Sequence, residues 1–268
     1  MIRNCFLGTV ILTVIFTFCS VASAAELMPD FSGVPTGWVT DRFQPNGFSN
    51  VGSFAGRDDV LGIEINTAEG FGSRGGCCNS TFYNTQGMQF AVFGFAGDTL
   101  SADLYVPLSW ADEVNGSRRT DMWGVMTDGS SVTDYPIIGF TNFGGTPLFR
   151  VWDDVAWSNL STSVIYDDWT SFQILFTGSA YEYRINGNLV YTDTTINGST
   201  GFQAAIMQAY NFNGDPSLVG AVAGDPLGNY TAHWDNPSEV PEPGTLALVT
   251  MGFGLIGLGG WRRRKMLL

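Results

Sequence analysis

The chain has 268 residues, of which 44% are hydrophobic and 14% are charged, and its formal net charge at pH 7 is −13. A surface with this excess of carboxylates repels the phosphates of nucleic acids and of anionic lipid headgroups, so we expect no nucleic-acid partner. The single histidine, His233, gives no support to a Ser-His-Asp triad or to a histidine-based metal site, and we interpret it as a strand residue.

The first 24 residues are typical of a signal peptide. Arg3 precedes an apolar run, and the segment ends on Ala22-Ser23-Ala24, the small-x-small pattern that signal peptidase accepts. The apolar run is short for a membrane span, which takes about 20 residues. We therefore expect signal peptidase to remove residues 1–24 and to leave an exported chain.

The C-terminal segment, residues 237–268, combines three features in a fixed order. Val240-Pro241-Glu242-Pro243 is followed by a Gly-rich apolar stretch and then by the basic cluster Arg262-Arg263-Arg264-Lys265. The prolines keep the backbone out of a helix before the membrane, and the basic cluster favours the cytoplasmic side. The apolar stretch is only just long enough to cross a bilayer of about 30 Å, which suits a temporary span.

This order of motif, apolar stretch and arginine cluster resembles the PEP-CTERM sorting signal. The resemblance implies recognition by an exosortase-type transpeptidase and cleavage near the Pro-Glu-Pro motif. It also implies display or release at the surface of a bacterium that makes exopolysaccharide, after transient anchoring in the inner membrane by the C-terminal helix. An ordinary single-pass anchor is the alternative.

Residues 25–236 remain as one predicted domain, a length that suits a single sizeable core. Removal of the signal peptide and of the segment after Pro243 takes away five of the 12 basic residues and none of the 25 acidic ones, which leaves a net charge of −18. Such a charge favours solubility and attracts divalent cations.

Cys77 and Cys78 are the cysteines that remain once the signal peptide is removed. Adjacent Cα atoms lie about 3.8 Å apart, below the usual disulfide span, so a bridge between them would close a strained ring. The exported compartment is oxidising, which favours a disulfide. The sequence leaves two alternatives for Cys77 and Cys78, a vicinal disulfide or two free thiols. Without a long-range disulfide, the apolar core must stabilise the fold.

Short β-rich runs separated by Gly, Asn, Asp and Ser fill the domain, and no stretch has a sustained helical apolar period. Residues 101–106 and 181–185 alternate between apolar and polar, which predicts strands with one buried and one wet face. The sequence therefore predicts an all-β antiparallel sandwich flanked by a signal helix and a short transmembrane helix. The predicted strands are 38–43, 60–65, 88–93, 100–106, 122–126, 137–141, 148–152, 171–176, 180–185, 189–192, 203–209 and 230–234.

The strongest local signal is a three-strand meander. Residues 169–176 form the first run, W-x-x-F-x-I-x-F, and residues 181–191 alternate on both sides of Asn186-Gly187, which predicts a type I′ hairpin turn. This meander resembles that of laminin-G-like and concanavalin-A-like jelly rolls, and the resemblance implies a jelly-roll sandwich.

Concanavalin-like folds include retaining β-glucanases, which place two glutamates on one strand, spaced E-x-D-x-E or with one extra residue. Residues 64–69 nearly match, with Glu64 and Glu69 at the ends and Asn66 in place of the middle aspartate. Because residues two apart face the same side of a strand, the acids of such a motif converge in the cleft. We interpret the domain as non-catalytic and keep a glycan-active hydrolase as the alternative.

Carbohydrate binding is the leading functional interpretation, with polysaccharide as the expected partner. Sugar rings stack on aromatic faces while nearby polar groups bind the hydroxyls. A purely structural or adhesive matrix component is the other alternative. The candidate stacking residues are Trp110, Trp152, Trp157 and Trp169.

Calcium is the expected cofactor if the domain has one. Aspartate pairs offer the hard oxygen ligands that calcium prefers, although such pairs are also common in solvated turns. The residues singled out as calcium ligands are Asp153, Asp154 and Asp235.

Overall fold

The computed structural model describes residues 31–73, 85–215 and 227–241. Within these ranges no helix has the length and apolar character needed to cross a bilayer. The predicted terminal helices lie outside these ranges, and so do the signal cleavage residues Ala22 and Ala24, the cysteines Cys77 and Cys78, and the motif residues Glu242, Pro243, Arg262, Arg263 and Arg264.

The described residues are organised as fifteen strands joined by turns and short 3-10 segments. The strands are β1 (Trp38–Thr40), β2 (Gly47–Asn50), β3 (Leu61–Ile65), β4 (Gln86–Ala91), β5 (Asp98–Val106), β6 (Arg119–Thr127), β7 (Val132–Asp134), β8 (Ile137–Thr141), β9 (Leu148–Trp152), β10 (Trp157–Asn159), β11 (Asp168–Phe176), β12 (Tyr181–Ile185), β13 (Asn188–Asp193), β14 (Gly201–Ala209) and β15 (Tyr230–Pro241).

The strands form two sheets. Sheet I has the order β1-β4-β14-β6-β8-β9-β10, with β7 paired to β6, and sheet II has the order β13-β12-β11-β5-β15-β3-β2. Every pairing between these named strands is antiparallel. The inner faces of both sheets contribute to one apolar cluster, so the predicted all-β sandwich is confirmed.

Aromatic side chains join the two sheets across the core. Phe149 of sheet I meets Phe172 of sheet II edge-to-face, with ring centroids 5.2 Å apart, and Phe172 lies 5.9 Å from Trp234. The Trp234 indole also donates a hydrogen bond of 2.9 Å to Thr120 of sheet I. Each such aromatic pair contributes about 0.5–1.5 kcal/mol beyond its buried area. The packing therefore fixes how one sheet lies on the other.

The predicted hairpin is confirmed. β12 and β13 pair across Asn186 and Gly187, whose φ angles of 50° and 77° are the two positive values that a type I′ turn requires. β12 and β5 also show the expected alternation of buried and partly exposed residues.

Strand boundaries differ from the predictions in an informative way. Two strands, β8 and β9, have the predicted limits, whereas β6 begins at Arg119, three residues before the predicted start. The reason is tertiary, since β14 and β8 pair with both edges of β6 from its first residues. The short strands β2, β7 and β10 were not predicted, because three or four residues carry too little pattern.

The last strand continues past residue 236, where the sequence analysis ended the domain. Asn236 has a positive φ of 48° and the register with β5 shifts there, after which Ser238 pairs with Ser101. Val240 then pairs with Thr99, and Pro241 pairs with Asp98. The first half of the Val-Pro-Glu-Pro motif is thus part of β15.

Candidate functional site

The outer face of sheet I is unusual because β6 is buried on both sides. β5 alternates, but eight of the nine residues of β6 are buried, including its outward-facing Arg119, Asp121 and Trp123. Trp123 belongs to a second apolar cluster, separate from the core, against which Trp152 and Trp157 pack. We call this surface the arginine–tryptophan face, formed by Arg119, Asp121, Trp123, Gly139, Arg150, Trp152, Trp157 and Gln208.

Strand register sets this face out in two neighbouring rows. The polar row crosses four strands, because Asp121 of β6 pairs with Gln208 of β14 on one side and with Gly139 of β8 on the other, and Gly139 pairs with Arg150 of β9. The apolar row lies two residues along each strand and contains Ile206, Trp123, Ile137, Trp152 and Trp157. A line of polar groups therefore runs beside a line of aromatic rings.

Asp121 is fully buried at the centre of the polar row. Its Oδ2 accepts hydrogen bonds from Arg119 Nε at 2.7 Å and from Gln208 Nε2 at 2.5 Å. Its Oδ1 has no hydrogen-bond partner, and the same is true of the buried atoms Arg119 Nη2 and Gln208 Oε1. A buried polar group without a partner costs about 1–3 kcal/mol, so this cluster holds unused donors and acceptors at a cost in stability.

A glycine makes room for this cluster. A Cβ atom at Gly139 would overlap Asp121 Oδ1 and the Thr120 carbonyl oxygen. The position therefore tolerates no side chain while Asp121 keeps its place, because the Asp121 carboxylate itself fills the space above Gly139.

Arg150 lies at the far end of the polar row and stacks on a tryptophan. Its guanidinium carbon is 3.7 Å from the ring centroid of Trp157, and that of Arg119 is 4.8 Å from the same ring. Arg150 is half-buried, and its Nε and Nη2 atoms are buried with no hydrogen-bond partner. Burial lowers the pKa of Arg150 to about 9, and the neighbouring charge of Arg119 lowers it further while that of Asp121 opposes the shift.

A second arginine–tryptophan stack lies on the outer face of sheet II. Arg57 lies 4.3 Å from the ring centroid of Trp169 and donates hydrogen bonds to Asp103 at 2.6 Å and to Asp235 at 2.9 Å. His233 is part of the same surface and stacks on Phe54 at 3.8 Å. This arginine ties the loop between β2 and β3 to strands β5 and β15.

The structure separates the four candidate tryptophans. Trp152 and Trp157 lie on the arginine–tryptophan face, 5.5 Å apart between ring centroids. Trp110 is buried and packs against core rings, so it is unavailable as a stacking platform. Trp169 lies on the other sheet beside Arg57.

The three predicted calcium ligands do not converge. The turn after β9 uses Asp153, whose carboxylate accepts the Ala156 amide at 2.8 Å and the Tyr191 hydroxyl at 2.8 Å. Asp154 accepts from Asn197, and Asp235 is held by Arg57 on the other sheet. In the described ranges no group of three or more His, Cys, Asp or Glu side chains could hold a metal ion. Turn and ion-pair contacts already engage oxygens of these carboxylates, and calcium binding by Asp153, Asp154 and Asp235 stays a prediction.

The two glutamates of the hydrolase alternative lie in separate cavities. Glu64 is exposed on β3, accepts a hydrogen bond of 3.1 Å from Asn46, and lines an open cavity of about 320 Å³. Glu69 ends a 3-10 turn and lines a second cavity of about 450 Å³. Asn46 lines both cavities. Glu64 and Glu69 thus do not share one strand face as in the E-x-D-x-E pattern.

Six residues of the face were not singled out in the sequence, namely Arg119, Asp121, Trp123, Gly139, Arg150 and Gln208. A signal existed in residues 119–123, where R-x-D-x-W has the period of two that places all three side chains on one face. The predicted strand began at residue 122 and so missed it.

Comparison with solved structures found matches of low sequence identity, three of which follow. A sialidase aligns with a TM-score of 0.45 and 12% identity over 81% of this chain, which spans only 18% of the sialidase. A Bacillus licheniformis β-glucanase aligns with a TM-score of 0.42 and 12% identity over 79% of this chain and 94% of its own. The Crh5 transglycosylase, in its apo form, aligns with a TM-score of 0.44 and 11% identity over 81% and 90% of the two chains.

A search of curated proteins found no match to the chain.

The C-terminal segment matches a known family model. Residues 239–265 match the model described as the PEP-CTERM protein-sorting motif, a range that includes Val240-Pro241-Glu242-Pro243 and Arg262-Arg263-Arg264. The prediction from the sequence is confirmed, and the chain carries a motif for export and sorting to the cell surface through processing by an exosortase.

Proposed function

We propose that this protein is a non-catalytic carbohydrate-binding protein of the bacterial surface or extracellular matrix, and that it binds polysaccharide on the arginine–tryptophan face. In this proposal signal peptidase cuts after Ala24, the segment after Pro243 anchors the chain in the inner membrane until the exosortase acts, and the sandwich is displayed or released.

One observation carries the binding proposal. Arg150, Trp152 and Trp157 are partly exposed side by side on the outer face of sheet I, with the Arg150 guanidinium carbon 3.7 Å from the Trp157 ring centroid. Together they supply guanidinium donors next to aromatic faces, the combination that binds sugar hydroxyls and sugar rings. A ligand that accepts hydrogen bonds from Arg150 recovers part of the free energy that its burial without a partner costs.

A glycan-array screen of the processed, exported chain tests the proposal. We expect Trp157→Ala to lower affinity for the bound glycans by about tenfold, because one stacking ring contributes roughly 1–2 kcal/mol. Trp169→Ala is the matched control, since it removes a tryptophan that also stacks on an arginine but lies on sheet II. Equal loss in both variants, or no binding to any glycan, would contradict the proposal.

The same screen includes EDTA. Because the described residues contain no group of carboxylates, histidines or cysteines that could hold a metal ion, we expect binding at this face to survive metal removal. Loss of binding in EDTA, restored by calcium, would instead bring calcium back as a cofactor.

A glycan-active hydrolase is the second candidate, favoured by the two open cavities beside Glu64 and Glu69. Incubating each bound glycan with the protein and measuring new reducing ends tests it. Release of reducing ends that disappears in Glu64→Gln and persists in Trp157→Ala would replace the binding proposal by hydrolysis at the cavities of sheet II.

A further inference from the structure

Arg150 differs from the other arginines that the structure describes. Arg42, Arg57, Arg119 and Arg184 each form an ion pair with a carboxylate. Arg118 donates hydrogen bonds to the backbone carbonyls of Ser117 and Asn115. Among the described arginines, only the side chain of Arg150 has neither an ion pair nor a hydrogen bond, and its guanidinium stacks on the Trp157 ring.

The ring of Trp157 does not replace the missing partners. A cation–π contact attracts the guanidinium to the ring face, but it leaves the in-plane N–H groups of the guanidinium unbonded. Arg119 faces the same ring and adds a like charge, whereas Asp121 is already bonded to Arg119 and Gln208. Burying an uncompensated charge is unfavourable, so the empty site is less stable than one in which an anion contacts Arg150.

The net charge of the surrounding side chains determines the charge that this anion must carry. Arg119 and Arg150 together carry two positive charges and Asp121 carries one negative charge. Arg42, which stacks on Trp123, is paired with Asp41 and adds no net charge. The cluster therefore has one net positive charge, which a single monovalent anionic group neutralises. A planar carboxylate or the oxygens of a sulfate fit the in-plane donors of a guanidinium.

We propose that the arginine–tryptophan face selects an acidic glycan, and that one carboxylate or sulfate group of a sugar unit binds Arg150 and Arg119 while the sugar ring lies along the tryptophans. This inference rests on the proposed carbohydrate binding and names the class of its ligand. Gly139 separates Asp121 from Arg150 in the polar row and adds no side chain of its own between them.

The charge of the whole chain predicts an unusual salt dependence. Residues outside the face are strongly acidic, so the chain as a whole repels a polyanion at long range, and this repulsion is screened beyond about 10 Å at about 0.1 M salt. The contact with half-buried Arg150 is screened much less. We expect affinity for an acidic oligosaccharide to hold or rise between about 0.02 M and about 0.15 M salt, and a steep fall over this range would indicate loose ionic attachment and overturn the proposal.

The direct test is calorimetric titration of the processed chain with matched probes. An oligogalacturonate is compared with its carboxyl-reduced, neutral counterpart, and a sulfated galactan oligosaccharide is compared with its desulfated form. We expect at least one charged probe to bind about 10- to 100-fold more tightly than its neutral match, the effect of one or two charge-assisted hydrogen bonds. The preferred charged probe shows whether the anionic group is a carboxylate or a sulfate.

Variants of Arg150 assign the effect to this side chain. Arg150→Met should remove the preference for the charged probe, so that the ratio of the two affinities falls to about one. Arg184→Met is the control, because it removes an arginine of sheet II that is paired with Glu182. Arg150→Lys keeps the charge without the planar donor pair, so it should retain part of the preference, and it serves as the second variant if Arg150→Met does not fold.

The outcomes separate the two proposals. Equal binding of charged and neutral probes, or an unchanged preference in Arg150→Met, would overturn the acidic-glycan inference and leave carbohydrate binding intact. Absence of binding to charged and neutral glycans alike would overturn both.

Discussion

Two arginines stack on tryptophans on opposite sides of this sandwich, Arg57 on Trp169 and Arg150 on Trp157, with guanidinium–ring distances of 4.3 and 3.7 Å. Arg57 also contacts two carboxylates, those of Asp103 and Asp235. Arg150 contacts none among the described residues. The guanidinium–ring stacking is similar in the two places, and the two arginines differ in whether a carboxylate is bonded to the guanidinium.

The pKa values change in opposite directions for this reason. Burial lowers the pKa of Arg57, but its hydrogen bonds to Asp103 and Asp235 outweigh that effect and raise the pKa overall. Burial lowers the pKa of Arg150 to about 9, because no bonded carboxylate offsets the loss of water. Arg57 thus stabilises the fold as a cross-link between a loop and sheet II. Burial of Arg150 without a bonded carboxylate instead costs stability.

The largest effect is expected from a methyl group added at Gly139, beneath Asp121 of the arginine–tryptophan face. Gly139→Ala places a methyl group against Asp121 and the Thr120 carbonyl, so the backbone or the buried carboxylate must shift. We expect a loss of about 3 kcal/mol in the free energy of unfolding and loss of glycan binding, although no polar group is removed. Urea denaturation measures the first and calorimetry the second.

Gly33→Ala is the matched control for this variant, because a Cβ at Gly33 meets nothing within 4 Å. If Gly139→Ala binds glycans as the native chain does, the polar row is not the binding surface.

Removing the two arginines should change the free energy of unfolding in different directions. Arg57→Met leaves Asp235 and Asp103, with side-chain exposures of 6% and 14%, without their cation, and we expect a loss of about 2 kcal/mol. Arg150→Met removes an uncompensated charge and should leave the free energy of unfolding unchanged or raise it. Urea denaturation of both variants at pH 7 checks this, and destabilisation of equal size in both would break the distinction between a structural and a ligand-binding arginine.

The smallest expected effect concerns Asp134, a buried acid whose raised pKa makes stability depend on pH. Burial raises the pKa of Asp134 to about 6, with the charges of Asp154 and Asp193 adding to the shift against the hydrogen bond from the Tyr135 amide. Folded Asp134 keeps its proton up to about pH 6, whereas in the unfolded chain it titrates near 3.8, the usual pKa of an aspartate. The folded state therefore binds more protons between these values, and this residue's contribution makes stability fall as pH rises through them.

Asp134→Asn removes that contribution. We expect the variant to gain about 1 kcal/mol over the native chain at pH 7, after allowance for screening, and to gain nothing at pH 3. Thermal unfolding across this pH range measures the difference. Asp58→Asn, at an exposed position, is the control. A gain that is the same at both pH values would show that the charge of Asp134 is not its cause.

Most of the fold could be predicted from local pattern. β8, β9 and the β12–β13 turn were predicted correctly because alternation and the Asn186-Gly187 dipeptide act over a few residues. The candidate site was predicted only in part, through Trp152 and Trp157. Arg119 and Asp121 were missed because they fall before the predicted start of β6, where pairing with β14 and β8 supplies the strand structure.

The sequence by itself determined the sorting motif, the all-β class and the hairpin, because each depends on residues that are neighbours along the chain. The tertiary structure alone decided that Gln208, Asp121, Gly139 and Arg150 form one row, since the register of four strands brings together residues as far apart in sequence as 121 and 208. It also decided which arginine meets carboxylates and which does not. Arg57 contacts both Asp103 and Asp235 because β5 and β15 are adjacent, and strand order is a property of the whole fold.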